Sequence, residues 1–540
     1  MWVIESEEFL NMLRLSNLSV PLDYTDSSLR AAILKKCSLS SDQLLSYSVV
    51  RRSVDARDKS SLHFVLSVDL KVKNEQALLK KCRFLSRAPA VPSFSLPACR
   101  FSAPPLVVGA GPSGLFAALI LARAGARPVL IERGQPVETR TADVEKMSAD
   151  GILDPESNVQ FGEGGAGAFS DGKLTCGVKS PLVRTVIETF AAHGAPEEIL
   201  IDSMPHIGTD RLRNVVASIR NEILALGGSV RYGTKLENLM IRNSRVEGAV
   251  LSVAGERQEY RTDSVLLCIG HSARDTVRSL FEQGIHMVQK PFAMGVRIEH
   301  PRILIDRAQY GAFAGHPMLG AASYKLVCHT PDNRGVYSFC MCPGGNVIAA
   351  ASEPGGLVTN GMSFHARSAE NSNAALLVGV HTEDFGGAHP LAGMILQREI
   401  EKKAFTAAGG GFRAPAQRVE DFLNSRATKA FGVVHPSYRP GVTPADLRTV
   451  LPSFIVEDLK IGIRAMNSQL PGFAMADAVL TAPETRSSSP VRMLRLDTGE
   501  AEGCDGLYPV GEGAGYAGGI VSAAIDGITA ALKVLGKKAG

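Results

Sequence analysis

Three glycines and one acid carry the first chemistry visible in this chain. Gly109, Gly111 and Gly114 stand in G-x-G-x-x-G spacing within VVGAGPSGLFAALILARAGARPVLIERG, residues 107–134. Glu132 follows about 20 residues past the turn. That pattern suits a dinucleotide. The first glycine permits a tight turn, the second lets the backbone approach a pyrophosphate, and the third lets a helix pack closely on a strand. The helix begins at Pro112, with Ser113 in its first turn, and its free N–H groups face the anion. A carboxylate at Glu132 accepts hydrogen bonds from ribose hydroxyls.

Two further glycine runs extend the cradle. In FGEGGAGAFSDGKL, residues 161–174, Gly164, Gly165 and Gly167 flank Ala166 and can wrap backbone N–H groups around a pyrophosphate or the edge of a cofactor ring. In GLYPVGEGAGYAGGIVSAAIDGITAAL, residues 506–532, a strand leads into a turn with Gly511, Glu512, Gly518 and Gly519, and a helix starts near Ile520. Gly513, Gly515 and Gly518 repeat the triplet spacing, but neither a second strand nor a properly placed acid follows, since Asp526 falls inside the helix. This run therefore reads as part of the same cradle. No other full fingerprint is present, so NAD(P)H is expected at most as a transient reductant, with the substrate itself as the other electron source.

Polar side chains in the middle of the chain could face a reaction. Lys173 follows the Ser170–Asp171–Gly172 turn, where it could balance charge, hold an acidic substrate or serve only the surface. His271 and Arg274 lie just past a strand end, where α/β proteins place ligands, although a loop histidine needs no such role. Glu353, Asn360, His365 and Arg367 cluster in SEPGGLVTNGMSFHAR, and Glu484, Arg486 and Arg492 in PETRSSSPVR. They suit a substrate shell or a salt-bridge scaffold equally. Cys340 and Cys342 in FCMCPGG could form a redox pair, but a strand puts both on one face without the helix N-terminus that lowers a thiol pKa. Packing as small apolar groups is the preferred reading, and no metal is expected because no second ligand pair has the right spacing.

The elements that must position these groups are legible in outline. Leu106–Val108, Pro128–Ile131 and Ser264–Ile269 read as buried strands, and residues 112–124 as a helix. Residues 1–86 alternate in a β-α-β-β order that suggests a small ferredoxin-like α+β module. Residues 87–105 are rich in proline and small residues and read as a linker. A nucleotide-binding core is expected at 106–290 and 490–540, with an inserted substrate or cap domain at 291–489.

Composition narrows the class. The 540 residues are 45% apolar and 21% charged, a globular balance, and the net charge of +4 is dispersed, so a nucleic-acid partner is not expected. Apolar runs such as LFAALILA are too short to span a bilayer, and the acidic start MWVIESEEFL does not read as a signal peptide. Nine scattered cysteines fit reduced thiols and a cytoplasmic setting.

The stretches VVGAGPSGLFAAL, FGEGGAGAFSDGKL, FCMCPGG, TNGMSFHAR, PETRSSSPVR and YPVGEGAGYAGGIVSA together resemble the two-dinucleotide-binding-domain flavoproteins. Within them the chain is similar over essentially its whole length to FAD-dependent dehydrogenases with an N-terminal ferredoxin-like module. The resemblance implies an α/β fold: a Rossmann-like, glutathione-reductase-like FAD-binding core with an inserted α+β domain. It places the ADP half of FAD on Gly109, Gly111, Gly114 and Glu132, with Arg133 beside the adenosine. Gly511 and Glu512 would hold the ribityl or pyrophosphate, although Glu512 stands where Asp is more usual. Gly518, Gly519 and Ile520 would aim helix N–H groups at the flavin pyrimidine edge and stabilise charge that develops on reduction.

The function implied is an FAD-dependent oxidoreductase, a dehydrogenase or reductase of a small organic substrate, with the flavin cycling by two-electron transfer. Three alternatives stay open: a flavoprotein acting on RNA, docked by the N-terminal module through Arg51, Arg52 and Arg57; an FAD-dependent monooxygenase; and a non-catalytic flavin binder.

Overall fold

The computed structural model describes residues 2–3, 12–89, 93–94, 96–97, 99 and 101–539. The stretch 4–11, within the acidic start, and residues 90–92, 95, 98 and 100 of the expected linker lie outside the described residues.

The N-terminal unit runs β1 (Leu13–Val20), α1 (Asp26–Cys37), β2 (Leu44–Asp55), β3 (His63–Val72), α2 (Glu75–Lys81) and β4 (Leu85–Arg87). Its strands pair antiparallel in the order β2-β3-β1-β4. Alternation explains the sheet: Phe64, Leu66, Val68 and Leu70 turn inward, onto the stripe Leu29, Ile33 and Cys37 of α1. Thr25 caps α1 reciprocally with Ser28, the Ser28 N–H donating to Thr25 Oγ1 and the Thr25 N–H to Ser28 Oγ. Sequence reading supplied only the first four elements, because a seven-residue helix and a three-residue strand carry little periodicity.

The nucleotide-type sheet is built from β5 (Leu106–Val108), β6 (Val129–Ile131), β7 (Ser229–Arg231) and β8 (Val265–Leu267), joined much later in the chain by another three-residue strand. Helix α3 (Pro112–Arg123) follows β5 and is buried from Ser113 to Ala122, which accounts for its being apolar on all sides. A three-stranded antiparallel sheet at residues 234–261 lies between β7 and β8. The expected strand 264–269 is shorter in the structure, because Cys268, Ile269 and Gly270 leave the sheet to line a cavity.

The chain then builds a second sheet from β9 (Phe292–Pro301), β10 (Val327–His329), β11 (Gly335–Cys342), β12 (Asn371–Val380), β13 (Ala414–Arg418), β14 (Val442–Pro444) and β15 (Val479–Glu484). The order is β10-β11-β12-β9-β15-β13-β14, antiparallel except for the β13/β14 pair. β9 and β12 pair along their whole length, from Phe292↔Val380 to Pro301↔Asn371. Val296, Ile298, Leu376, Val378 and Leu480 join Ile463 in its core. The chain returns to the first sheet as β16 (Leu507–Pro509), giving five parallel strands ordered β16-β8-β5-β6-β7, and ends in α4 (Ile520–Ala539), which packs on α3. All-apolar three-residue strands such as β5, β6 and β8 suit a parallel sheet covered on both faces.

Candidate functional site

The carboxyl ends of β5, β6 and β8 open into a cavity of about 820 Å³, the place where open α/β sheets hold ligands. Its far wall comes from the second sheet, through Ser338, Phe339, Cys340, Met341 and Glu484, and from Tyr324 in the loop before β10.

The three glycines of the turn do different work. Gly109 sits at φ +101, where a side chain is strained, and a Cβ there would run into the Cys268 carbonyl. A Cβ on Gly114 would overlap the carbonyl oxygen of Gly109, so this residue sets the seat of α3 on the strand. Gly111 is ordinary in conformation, with φ −74, and the nearest atom to a Cβ is the Gly165 Cα at 3.8 Å. The protein alone would accept an alanine there; an occupant of the cavity would not. Gly518 likewise has nothing within 4 Å of a Cβ. Room is thus left beside the amino-terminal end of α3, where backbone N–H groups favour a diphosphate. These residues fit the phosphates of FAD.

Glu132 is more committed than its spacing suggests. Its Oε2 accepts from the Ala110 N–H at 2.8 Å, and its Oε1 accepts from Gly134 and Gly162 at 2.9 Å each. A carboxylate has about four lone-pair sites, so one remains for a ribose hydroxyl. Arg133 forms ion pairs with Glu156 at 2.6 Å and Asp275 at 2.8 Å and lies over the Phe161 ring, making a flat wall. Gly165, Ala166 and Gly167 line the cavity, whereas Gly164 is packed against Ala168 and Val216. Gly511 lies behind the wall at φ +78, its N–H held by Asp526 at 2.7 Å. Asp526, which lacked a role as a helix-interior acid, therefore fastens that turn. Glu512, Gly519 and Ile520 line the cavity. Burial pushes the Glu512 carboxyl up to about 7, against the opposing pull of the Gly519 N–H and Lys290.

The expected reaction groups divide. Lys173 reaches the cavity wall, but its ammonium is spent on Asp171 at 2.6 Å and on the Met341 carbonyl. Arg367 does not line the cavity; it grips the same Asp171 through two bonds of 3.0 and 2.6 Å. Arg274 and Glu353 also lie off the cavity. Arg274 binds Glu401 through both terminal nitrogens, and Glu353 pairs with Arg398 at 2.8 Å. Arg486 lines the cavity while holding Glu401 at 2.8 Å and Ser352 at 2.6 Å. His271 lines it too, but burial, with Arg486 and Arg274 nearby, pushes its imidazole down to about 3, so it is neutral at ordinary pH. Asn360 is on the wall, whereas His365 stacks on His206 with centroids 5.2 Å apart. Arg492 lies over the Tyr516 ring.

Several site residues escaped sequence reasoning. Asp171, Arg297 and Glu401 are fully buried charges that organise the cavity walls. Arg297 in the apolar strand FAMGVRIEH did carry a signal, because a charge in the middle of a buried strand needs a partner. Its Nε lies 3.0 Å from Glu484 Oε2. Burial pushes Glu484 up to about 7 despite that neighbour. The strand picture of Cys340 and Cys342 is also corrected: β11 bulges between Phe339 and Cys342, Cys340 has φ +41, and it lines the cavity while Cys342 is buried. Among the described residues, no group of three His, Cys, Asp or Glu converges as a metal site.

Comparison with known proteins gives three family matches: "FAD binding domain" at residues 102–144, "FAD-dependent protein, C-terminal domain-like" at 291–487, and a "Domain of unknown function (DUF8436)" at 12–71. An uncharacterized protein of Clostridium beijerinckii is 45% identical over 530 residues, covering 97% of this chain and 99% of the relative. Among solved structures, the glycerol-3-phosphate dehydrogenase of Bacillus halodurans complexed with FAD is 12% identical, covering 81% of this chain and 65% of that one at a TM-score of 0.35. The L-amino acid deaminase of Proteus myxofaciens is 13% identical, covering 83% and 92% at a TM-score of 0.33.

Proposed function

The chain belongs to the family of its Clostridium beijerinckii relative and is an FAD-dependent oxidoreductase, and from that premise we propose a dehydrogenase or reductase of a small organic substrate. One observation carries this reading: a single cavity is walled by Gly111, Glu132 and Gly518 at one end and by Tyr324, Cys340 and Glu484 at the other. A cofactor on the first wall leaves the second, contributed by the seven-stranded sheet, to receive substrate.

FAD when bound supplies two-electron redox chemistry. The chain's own residues bind, orient and hold protons. The Gly109–Ser113 turn and the Gly165–Gly167 turn would receive the pyrophosphate, Glu132 and Arg133 the adenosine half, and Gly518–Ile520 the ring. Glu484, with a pKa of about 7, can hold or release a proton at its carboxyl oxygens near neutral pH. His271, neutral throughout that range, can donate or accept a hydrogen bond without changing charge. Arg274 and Arg486 are positioning residues, because their charges are spent on Glu401.

The finer architecture belongs to the same proposal. Five parallel strands, the first leading into a G-x-G-x-x-G turn, support a Rossmann-like, glutathione-reductase-like core in a two-dinucleotide-binding-domain protein. The β-α-β-β-α-β order of residues 13–87 supports a ferredoxin-like module. Of the three cations behind the RNA reading, Arg52 pairs with Asp202 and Arg57 with Asp55, whereas Arg51 is exposed. No helix among the described residues is long and apolar enough to cross a membrane.

An absorption spectrum followed by anaerobic titration with NADH and NADPH tests the reading. A flavin spectrum, with bleaching by one nucleotide or by a candidate substrate, is expected. A protein that neither carries nor takes up FAD would overturn it.

A further inference from the structure

Cys340 occupies a backbone conformation that a side-chain-bearing residue adopts only under constraint, and the constraint is visible. β11 carries an extra residue against β12 between Phe339 and Cys342, and Cys340 sits in the left-handed region at φ +41. Two cations hold the bulge. Arg297, fully buried, donates Nη1 and Nη2 to the Cys340 carbonyl at 3.0 and 3.2 Å. Lys173 donates Nζ to the Met341 carbonyl. The result places Cys340 on the cavity wall and Cys342 buried behind it, with the Cys342 Sγ 3.3 Å from the Cys340 carbonyl oxygen. Strain at such a position is a reason to look for function.

The electrostatics agree with that geometry. The Cys342 thiol donates to the Cys340 carbonyl, and Lys173 and Arg297 add positive charge that favours a thiolate at Cys340. Together they hold the Cys340 thiol well below the ordinary range and Cys342 well above it. The arrangement supplies an accessible nucleophile and a second sulfur beside it.

We propose that Cys340 and Cys342 are an exchangeable dithiol opening onto the cavity, with Cys340 attacking a small-molecule disulfide and Cys342 resolving the product. The Cys340 thiolate attacks one sulfur of RSSR, the S–S bond breaks, and RS⁻ leaves a mixed disulfide on Cys340. Cys342 gives its proton to that departing thiolate or to water and attacks Cys340 Sγ, expelling the second RS⁻. The pair has then lost two electrons and two protons, and RSSR has become two RSH. This chemistry is read on sulfur and does not depend on the substrate of the flavin.

The test uses the FAD-loaded full chain, reduced, freed of reductant, and incubated with oxidised glutathione before alkylation and peptide mass analysis. The peptide carrying both cysteines is expected to lose two hydrogens and resist alkylation. Cys342→Ser should accumulate glutathione on Cys340, and Cys340→Ser should give neither product. If both thiols stay free in the unmodified protein, or Cys340→Ser still exchanges at Cys342, the proposal fails. Should either variant not fold, iodoacetamide labelling of the unmodified protein at pH 6.5 decides. Cys340 should react about tenfold faster than Cys328, whose thiol burial pushes up; equal or slower labelling overturns the assignment.

Discussion

Arg274 and Glu401 meet in a two-pronged ion pair, Nη1 to Oε2 at 2.8 Å and Nη2 to Oε1 at 2.8 Å, with both side chains withdrawn from solvent. Arg274 opens the helix that follows β8, and Glu401 lies in the helix Ala392–Ala407 of the second unit. Arg486 grips the same carboxylate. One acid thus ties the helix that follows β8 to the segment that carries Arg486.

Glu401→Gln should destabilise the protein by about 3–5 kcal/mol, because it strands two buried guanidinium groups without a countercharge. Urea unfolding measures this. The two arginines hold the carboxyl below its ordinary value of 4.5, overcoming burial. Its stabilisation is therefore fully present above pH 4.5 and is lost as pH falls through the lower folded value. The variant should lack that component of acid unfolding.

Gly111→Ala should fold with nearly unchanged thermal stability yet bind FAD at least about tenfold more weakly, a loss of about 1.4 kcal/mol. Gly114→Ala should instead lower stability, since its Cβ overlaps the Gly109 carbonyl. Melting curves with and without added FAD separate the two. Equal flavin retention in Gly111→Ala and the unmodified protein would remove the pyrophosphate assignment.

Glu512 predicts an opposite pH effect. Burial raises its folded pKa from 4.5 to about 7, so the flavin-free protein binds a proton there that the unfolded chain has lost. Stability should fall as pH rises between those values. Glu512→Gln should flatten that slope and raise the melting temperature of the flavin-free protein above pH 7.

The N-terminal unit is anchored through β2. Arg52 donates its N–H to Ile201, accepts from the Ser203 N–H, and pairs with Asp202 at 2.8 Å. A double-mutant cycle on Arg52→Ala and Asp202→Ala should give a coupling of about 0.2–1 kcal/mol, as for a partly exposed pair. RNA retention at low salt is expected to be absent, because this cation is already engaged; salt-sensitive binding would restore the docking reading.

The glycine turn was legible because its requirements are local: φ +101 at Gly109 and the close seat of Gly114 follow from a strand, a turn and a helix within a dozen residues. The sequence by itself also determined the burial of β5, β6 and β8, since continuous apolar runs leave no polar face. It could not show that Glu132 would be shared by the amides of Ala110, Gly134 and Gly162, which three separate turns deliver. Glu401 reads like any acid on a helix, because periodicity does not say which polar residue will lie under two arginines. Strand alternation gave Cys340 and Cys342 one common face, and tertiary structure decided otherwise. The register of β11 on β12 and the pull of Arg297 and Lys173 come from residues far away in the chain, and a bulge costs too little locally to leave a mark in the residues that form it.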